Sequence, residues 1–328
     1  MNNFSTELKT ILPQINEHNF SEYALEVFKF QFNYNKIYKQ FCEYLHKSPS
    51  NVSHIDQIPF LPIELFKYHD ILTGKHASLT VFESSGTTDQ LQKSKHLVAD
   101  VPFYLNTATT IFNQVYGKLE EYTILALLPN YLERSNSSLI AMVDDFIKKS
   151  HHIDSGYYLY NHDELIEKLK NRTGKTILIG VTFALLDLAE KHSLDLHDVI
   201  VMETGGMKGR RKELLREEVH KILSTAFNIQ YVHSEYGMTE LLSQGYSKGN
   251  GLFETPKWMK ILLRDINDPL TINNQLRYGG INVIDLANID SCAFIATQDL
   301  GRIHPNDQFE VIGRFDASDV RGCNLMVL

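Results

Sequence analysis

The feature that most constrains this chain begins at residue 78, where short apolar runs and amphipathic stretches alternate. Strand-like runs at 79–82, 123–128, 176–181, 199–202 and 229–232 are separated by helical patterns near 103–116, 138–149, 183–192 and 210–227. Such alternation predicts β-α-β units and a mainly parallel sheet covered by helices. In open sheets of that kind ligands sit beyond the carboxyl ends of the strands, so the segments to inspect are 84–89, 204–209 and 234–240. Ahead of this region, residues 1–72 read as helical. Ser21 is a cap candidate for an amphipathic helix over 22–45, and Pro59 and Pro62 break the pattern before a short helix that turns Phe60, Leu61, Leu65 and Phe66 inward. Beyond residue 255 the helical rhythm gives way to strand-like pieces at 258–263, 281–284, 293–296 and 308–312. The expected organisation is a helical segment at 1–72, an α/β core at 73–255, and a small β-rich subdomain with a carboxy-terminal tail at 256–328.

Composition narrows the function classes. With 328 residues, 43% of them hydrophobic and 22% charged, the chain can bury a large core. A formal net charge of -8 without a basic block argues against nucleic acid or another polyanion as partner. Glu7, Lys9 and Glu17 interrupt the amino-terminal apolar residues, unlike a secretion signal, and the longest apolar run, 176–186, is too short to span a bilayer. The expected location is the cytoplasm. Cys42, Cys292 and Cys323 are too few for a disulfide framework, and no C-x-x-C or H-E-x-x-H spacing points to a metal centre. Cys42 and Cys292 lie in apolar patterns that predict buried, inert thiols, whereas Cys323 follows Arg321 and Gly322 in a polar tail.

The loops carry the chemistry. Ser84, Ser85, Gly86, Thr87 and Thr88 suit phosphate, because the glycine admits close backbone approach and N–H and hydroxyl groups donate to oxygens. The Walker spacing and its lysine are missing, and taken alone such a run is also an ordinary surface loop. Gly205, Gly206 and Gly209 follow a predicted strand, where flat backbone could lie against a planar ligand or simply turn into the next helix. Tyr236-Gly237-Met238-Thr239-Glu240 offers an aromatic face, a hydroxyl and a carboxylate able to hold Mg2+ beside phosphates. Gln298-Asp299-Leu300-Gly301 and Gly313-Arg314-Phe315-Asp316 add an acid and a cation, and either could be a solvated turn residue. Gly245-Tyr246-Ser247-Lys248-Gly249 matches the G-x-S-x-G hydrolase pattern, yet Asn250 and Gly251 stand where the required helix should start. His233 could orient a substrate carboxylate or end a strand, and His151 and His152 read as solvated loop residues.

Taken in order, the loop 84–88, Tyr236-Gly237-Met238-Thr239-Glu240, Gln298-Asp299-Leu300-Gly301 and Gly313-Arg314-Phe315-Asp316 resemble the core motifs of the acyl-adenylate-forming enzymes. Residues 181–190 look like the acyl-pocket segment of the phenylacetate-CoA ligase branch, with Phe183, Leu185 and Leu186 hinting at an apolar acyl pocket. The Thr204-Gly205-Gly206-Met207-Lys208-Gly209 loop and the ending make the chain most similar to LuxE-type acyl-protein synthetases. The resemblance implies the α/β fold of the adenylating amino-terminal domain, a mainly parallel sheet flanked by helices with a small β-rich subdomain. It implies ATP and Mg2+ as cofactors, with Ser84, Ser85, Gly86, Thr87 and Thr88 around pyrophosphate, and Gly205 and Gly206 flanking adenine. Tyr236 would stack near the base, Thr239 and Glu240 would meet the α-phosphate and the metal, and Asp299 with Arg314 would take the ribose. It also implies Cys323 as acyl acceptor, a carboxylic acid, expected to be fatty, as substrate and an acyl reductase as partner.

The chain departs from the pattern in places. Asp89 and Gln298 replace usual glycines, and the stretch from Arg314 to Gly322 is one residue short. Adenylating enzymes continue into a further domain that brings a lysine to the first half-reaction; the expectation here is that such a domain is missing, and nothing selects among Lys93, Lys95 and Lys208 as a substitute. Transfer to coenzyme A or a carrier-protein thiol is the nearest alternative, and a non-catalytic nucleotide-binding subunit is the alternative of another class.

Overall fold

The computed structural model describes residues 2–84, 92–129, 135–205, 214–273 and 275–315. In chain order its elements are α1 (Asn2–Ile11), α2 (Phe20–Tyr34), α3 (Lys36–Tyr44), β1 (Leu61–Pro62), α4 (Leu65–Tyr68), β2 (Thr80–Glu83), β3 (Lys95–Val98), α5 (Val101–Tyr116), β4 (Tyr122–Leu127), α6 (Ser138–Ser150), β5 (Gly156–Tyr157) and α7 (His162–Lys170). There follow β6 (Lys175–Val181), α8 (Thr182–Lys191), β7 (Val199–Thr204), α9 (Arg216–Phe227), β8 (His233–Tyr236), β9 (Gly245–Ser247), β10 (Leu252–Phe253), β11 (Met259–Arg264), β12 (Gly279–Asp285), β13 (Phe294–Ile303) and β14 (Phe309–Arg314). Among the described residues no helix is long and apolar enough to cross a membrane.

Two sheets organise the chain. The first runs β5-β4-β6-β7-β8-β9 and is parallel except for β9, which returns antiparallel to β8. Its strands β4 and β6 are apolar and almost wholly buried, as strands covered by helices must be. The second sheet, β10-β14-β13-β12-β11, is antiparallel, and β1 joins it parallel to β13. The expected α/β class and its β-rich companion are both present.

Several expected elements shift. The run at 79–82 does not enter the parallel sheet: β2 pairs antiparallel with β3 as a separate ribbon, Glu83 opposite Lys95, because the chain doubles back within a dozen residues. The strand expected at 229–232 is instead His233–Tyr236. Asn228 adopts a left-handed C-cap at φ 49° and Ile229 N–H bonds back to the Ser224 carbonyl, so the helix exit consumes those residues before pairing begins. Ser21 is not a cap, since α2 starts at Phe20 after Asn19 and has no side-chain cap bond. The long helix over 22–45 is divided at Asn35, whose side chain leaves the helical ladder to cap α3 through the Tyr38 N–H. The short strand β5 and the helix α7 were not expected.

The sheets and the amino-terminal helices meet at the turn between β12 and β13. This turn is buried, so its carbonyls need partners from side chains. Gln31 of α2 supplies most of them: Nε2 faces the carbonyls of Asn288, Ile289 and Ser291 at 3.1, 2.9 and 3.3 Å, while Oε1 accepts from the Ala293 N–H at 2.9 Å. Asn35 and Thr73 also donate to the Ser291 carbonyl, at 2.9 and 2.5 Å. Lys9 of α1 pairs with Asp290 at 2.6 Å and with Asp100, the N-cap of α5, at 3.0 Å. Replacing Gln31 with Leu keeps the volume and orphans these groups. Gln31→Leu is expected to lower unfolding stability by about 2–4 kcal/mol in urea titrations.

Candidate functional site

The ribbon that carries the serine-rich loop is fastened to the loop after β8. Ser84 and Ser94 close the described base of the ribbon, with Ser84 N–H on the Ser94 carbonyl at 3.0 Å and Ser94 N–H on Ser84 Oγ at 3.1 Å. The Ser94 hydroxyl also helps to hold the Glu240 carboxyl down against burial. Two residues on, His96 is fully buried, its Nδ1 2.7 Å from the Thr239 carbonyl and its Nε2 3.1 Å from Asn288 Oδ1. Asn288 Nδ2 donates to the Glu240 carbonyl at 2.7 Å. The far end of the same loop is held by Asp285, which accepts from the N–H groups of Leu242 and Ser243 and from the Ser243 hydroxyl. Burial pushes the His96 imidazole down to about 4 despite these contacts, and pushes Glu240 above the usual carboxylate range, with Ser94, its own backbone, Arg314 and Lys67 opposing.

A second constellation lies where β8 meets the antiparallel sheet. Tyr236 donates its phenol to Asp299 Oδ2 at 2.9 Å, and Asp299 sits opposite Arg314 in the β13–β14 register, 3.9 Å from its guanidinium. Burial raises the Asp299 carboxyl; Arg314 and the Tyr236 hydroxyl pull the other way. Arg314 is mostly exposed and acts on Glu240, Asp299 and Tyr236 alike, which ties the two constellations into one site. Gln298, the unusual residue of its motif, bridges the Arg314 guanidinium and Glu64 at 3.3 and 2.6 Å. Tyr236 packs against Phe253 and Phe309, and the Arg216 guanidinium lies 4.9 Å from the Phe253 ring centroid.

Buried carboxylates support both glycine-bearing loops. Gly205 follows β7 at φ 65°, a left-handed conformation that suits glycine, and its carbonyl accepts from Thr182 Oγ1 at 2.7 Å. Thr182 also donates to Glu203, as does Ser234, and His220 lies 3.2 Å from the same carboxylate. Burial opposes ionisation of Glu203, yet His220, Arg216 and Thr182 outweigh it and hold the group below its ordinary value. Glu235 has weaker support, from the Thr204 hydroxyl at 2.5 Å, and burial pushes it up to about 7.

Of the residues singled out by sequence, the fold brings Ser84, Tyr236, Thr239, Glu240, Asp299 and Arg314 to one side of the molecule's inter-sheet junction, with Gly205 at the end of the neighbouring strand β7. Ser85, Gly86, Thr87, Thr88, Asp89, Gly206, Lys208 and Cys323 lie outside the described residues. Lys93 pairs with Glu83 at 3.6 Å. Phe183, Leu185 and Leu186 are buried on α8. His233 contacts the Tyr116 hydroxyl at 3.1 Å and is pushed down to about 4 by burial and then by Lys248, so its ring is neutral at neutral pH. Ser247 is buried within β9 and donates to the Gly249 carbonyl, without the strand-to-helix turn of a hydrolase. Cys42 and Cys292 are buried thiols, raised to about 12 and further by burial. Sequence reading missed His96, Asn288, Ser94 and the carboxylates Glu203 and Glu235. The inward position of His96, between exposed Lys95 and half-buried Leu97, gave no signal because 95–98 does not read as a strand in the sequence. Among the described residues no group of three metal-ligating side chains forms. A lone buried carboxylate such as Glu240 fits Mg2+, which is held by one or two carboxylates together with substrate phosphates.

No family model matches the chain. A long-chain-fatty-acid--luciferin-component ligase of Aliivibrio fischeri is 22% identical over 333 aligned residues, covering 92% of this chain and 85% of that protein. Among solved structures, a 2-hydroxyisobutyryl-CoA ligase with 2-HIB-AMP and CoA in the thioesterification state overlays with a TM-score of 0.66 at 12% identity, over 92% of this chain and 68% of that one. An ATP-bound RpMatB-BxBclM chimera gives a TM-score of 0.54 at 15% identity, over 74% of this chain; the chain spans about half of it, 49%. The chain thus has the fold of the adenylate-forming ligases, and the similarity to the luciferin-component ligase runs along nearly its whole length.

Glu235 makes a measurable prediction. The folded chain retains a proton that the unfolded chain releases between pH 4.5 and about 7, so stability falls as pH rises through that window and levels off above it. The loss amounts to about 3 kcal/mol. Glu235→Gln is expected to abolish it, leaving the variant more stable than the parent at pH 8 and similar at pH 4.5 in parallel denaturant titrations.

Proposed function

We propose that this chain activates a carboxylic acid with ATP and Mg2+ and transfers the acyl group to a thiol. The observation that carries the reading is the contact chain from Tyr236 through Asp299 to Arg314, whose charge also lowers the Glu240 carboxyl, in a chain with the fold of adenylate-forming ligases. In this reading residues 73–255 form the adenylation core, 256–328 contribute Asp299, Arg314 and Cys323, and 1–72 brace the junction. Ser84, Ser85, Gly86, Thr87 and Thr88 hold the β- and γ-phosphates, Gly205 and Gly206 flank adenine, Tyr236 borders the base, and Asp299 with Arg314 takes the ribose hydroxyls. Glu240 would hold Mg2+, which when bound neutralises charge on the phosphate oxygens. Thr239 donates to the α-phosphate.

A carboxylate oxygen attacks the α-phosphorus, the bond to the bridging oxygen breaks, and pyrophosphate leaves with that electron pair. The site must then stabilise charge developing on phosphate oxygens, for which preorganised donors are worth several kcal/mol. In the second step the Cys323 thiolate attacks the acyl carbonyl, the mixed-anhydride C–O bond breaks, and AMP departs. Arg321, two residues earlier in the sequence, is the cation that would favour the thiolate. By likeness to the Aliivibrio ligase the acid is a long-chain fatty acid, and the motif resemblance makes an acyl reductase the partner that would take the thioester.

Acid-dependent exchange of pyrophosphate into ATP tests the first step. Glu240→Gln is expected to lower it about 100- to 1000-fold, and Asp299→Ala to raise KM for ATP about 10- to 100-fold. Intact mass tests the second step. Cys323→Ser is expected to keep exchange and lose a hydroxylamine-labile acyl adduct. Exchange without an adduct on the parent protein would make coenzyme A or a carrier thiol the acceptor; nucleotide binding without exchange would refute activation.

A further inference from the structure

We propose that His96 is a positioning residue for acyl activation, fixing the Thr239 and Glu240 backbone against the ribbon that carries the serine-rich loop. The inference rests on the activation reading above. Its geometric basis is a chain of contacts that crosses three elements. His96 on β3 reaches the Thr239 carbonyl, Asn288 in the turn after β12 reaches the Glu240 carbonyl, and the two side chains meet each other. Ser94, two residues earlier on the same side of the ribbon, closes on Ser84, and its hydroxyl lowers the Glu240 carboxyl. The loop that would hold the outer phosphates and the loop that would hold the α-phosphate are therefore fastened through one short strand. Phe66 closes the site edge-on, its ring centroid 5.9 Å from the imidazole.

The proton count assigns the two ring nitrogens different work. Full burial keeps the ring neutral, so it carries one N–H for two oxygen neighbours. The Thr239 carbonyl is the nearer, 2.7 Å against 3.1 Å, which places the proton on Nδ1 and leaves the Nε2 approach to Asn288 Oδ1 a packing contact without a hydrogen bond. Rotating the Asn288 amide would give Nε2 a donor, but it would turn an oxygen toward the Glu240 carbonyl and break the 2.7 Å bond there. The Nδ1–H bond to Thr239 and the Asn288 bond to Glu240 are thus the pair that sets where the Thr239 hydroxyl and the Glu240 carboxylate point. Outer contacts of this kind orient the groups that touch a metal or substrate.

The distinction between nitrogens gives the test. Asparagine at this position presents its amide near the place of Nδ1, glutamine near that of Nε2, and leucine presents neither. His96→Leu and His96→Gln are expected to lower kcat of acid-dependent pyrophosphate exchange about 10- to 100-fold with KM for ATP within about threefold, and His96→Asn to recover most of the loss. Equal losses in His96→Asn and His96→Gln, or kcat within twofold of the parent in well-folded His96→Leu, would overturn the proposal. Should the variants not fold, 15N spectra of the parent protein decide: protonation at Nδ1 of His96 is expected, and an Nε2–H tautomer would overturn it. Absence of exchange in the parent protein refutes the activation reading itself, whereas these variant and tautomer outcomes bear on His96 alone.

Discussion

The structure depends on how the buried turn between β12 and β13 satisfies its backbone. A turn at the surface would leave its carbonyls to water, but this one sits beneath α2 and against the loop after β8, so each carbonyl needs a protein donor. The donors come from distant parts of the chain, Gln31 of α2, Asn35 at the start of α3 and Thr73 from the segment before β2, while within the turn the Asp285 carboxylate accepts from the Ala287 N–H. Because these bonds are buried, the amino-terminal helices, the antiparallel sheet and the loop of Thr239 and Glu240 cannot move independently without exposing an unpaired group. The cost of one orphaned buried group, about 1–3 kcal/mol, is a large fraction of what holds a domain folded. The amino-terminal segment is in this sense part of the site's scaffold.

Electrostatics at the site follow from the same burial. Glu240 and Asp299 are both pushed above the usual carboxylate range, and the nearest cation common to them, Arg314, is mostly solvent-exposed and so only weakly compensating. Glu203, equally buried, goes the other way because His220, Arg216 and two hydroxyls surround it. The contrast separates a carboxylate already neutralised within the protein from carboxylates that are not. A divalent cation beside Glu240 would supply what the protein leaves out, and the ribose hydroxyls proposed for Asp299 would supply donors in place of water.

Much of this was legible in the sequence, for identifiable reasons. The strands β4, β6 and β7 are read from unbroken apolar runs because burial on both faces leaves no alternation to mistake. Tyr236, Asp299 and Arg314 are found from motif order, and their meeting is then enforced by the β13–β14 register. What failed was local. The run at 79–82 has the composition of a core strand, but pairing partners are a tertiary property, and the return of the chain at Lys95 decided in favour of a ribbon. The β8 boundary moved by four residues because a left-handed Asn228 looks, in sequence, like any polar loop residue. His96 and Asn288 were invisible for a deeper reason: their significance lies in contacts spanning 143 and 48 residues, and a lone histidine in a short strand carries no spacing signal.

Gly237 shows how a motif residue can be required by its neighbour and not by its own backbone. In sequence it reads as a flexible loop glycine, and only a positive φ would demand it on conformational grounds. Its φ lies outside the left-handed range. What excludes a side chain is Glu235: a Cβ at Gly237 would collide with Oε1 of that carboxyl and come within 3.6 Å of Gln244 Cγ. Glu235 is held there by the Thr204 hydroxyl, one residue before Gly205. The glycine of the Tyr236 loop and the glycine after β7 are therefore linked through a single buried carboxyl, and the shape of one loop constrains the other. Ionising Glu235 would strain that link, since burial disfavours the charge and the Thr204 hydroxyl only partly offsets it. The neutral acid is the form that lets both loops keep their close approach.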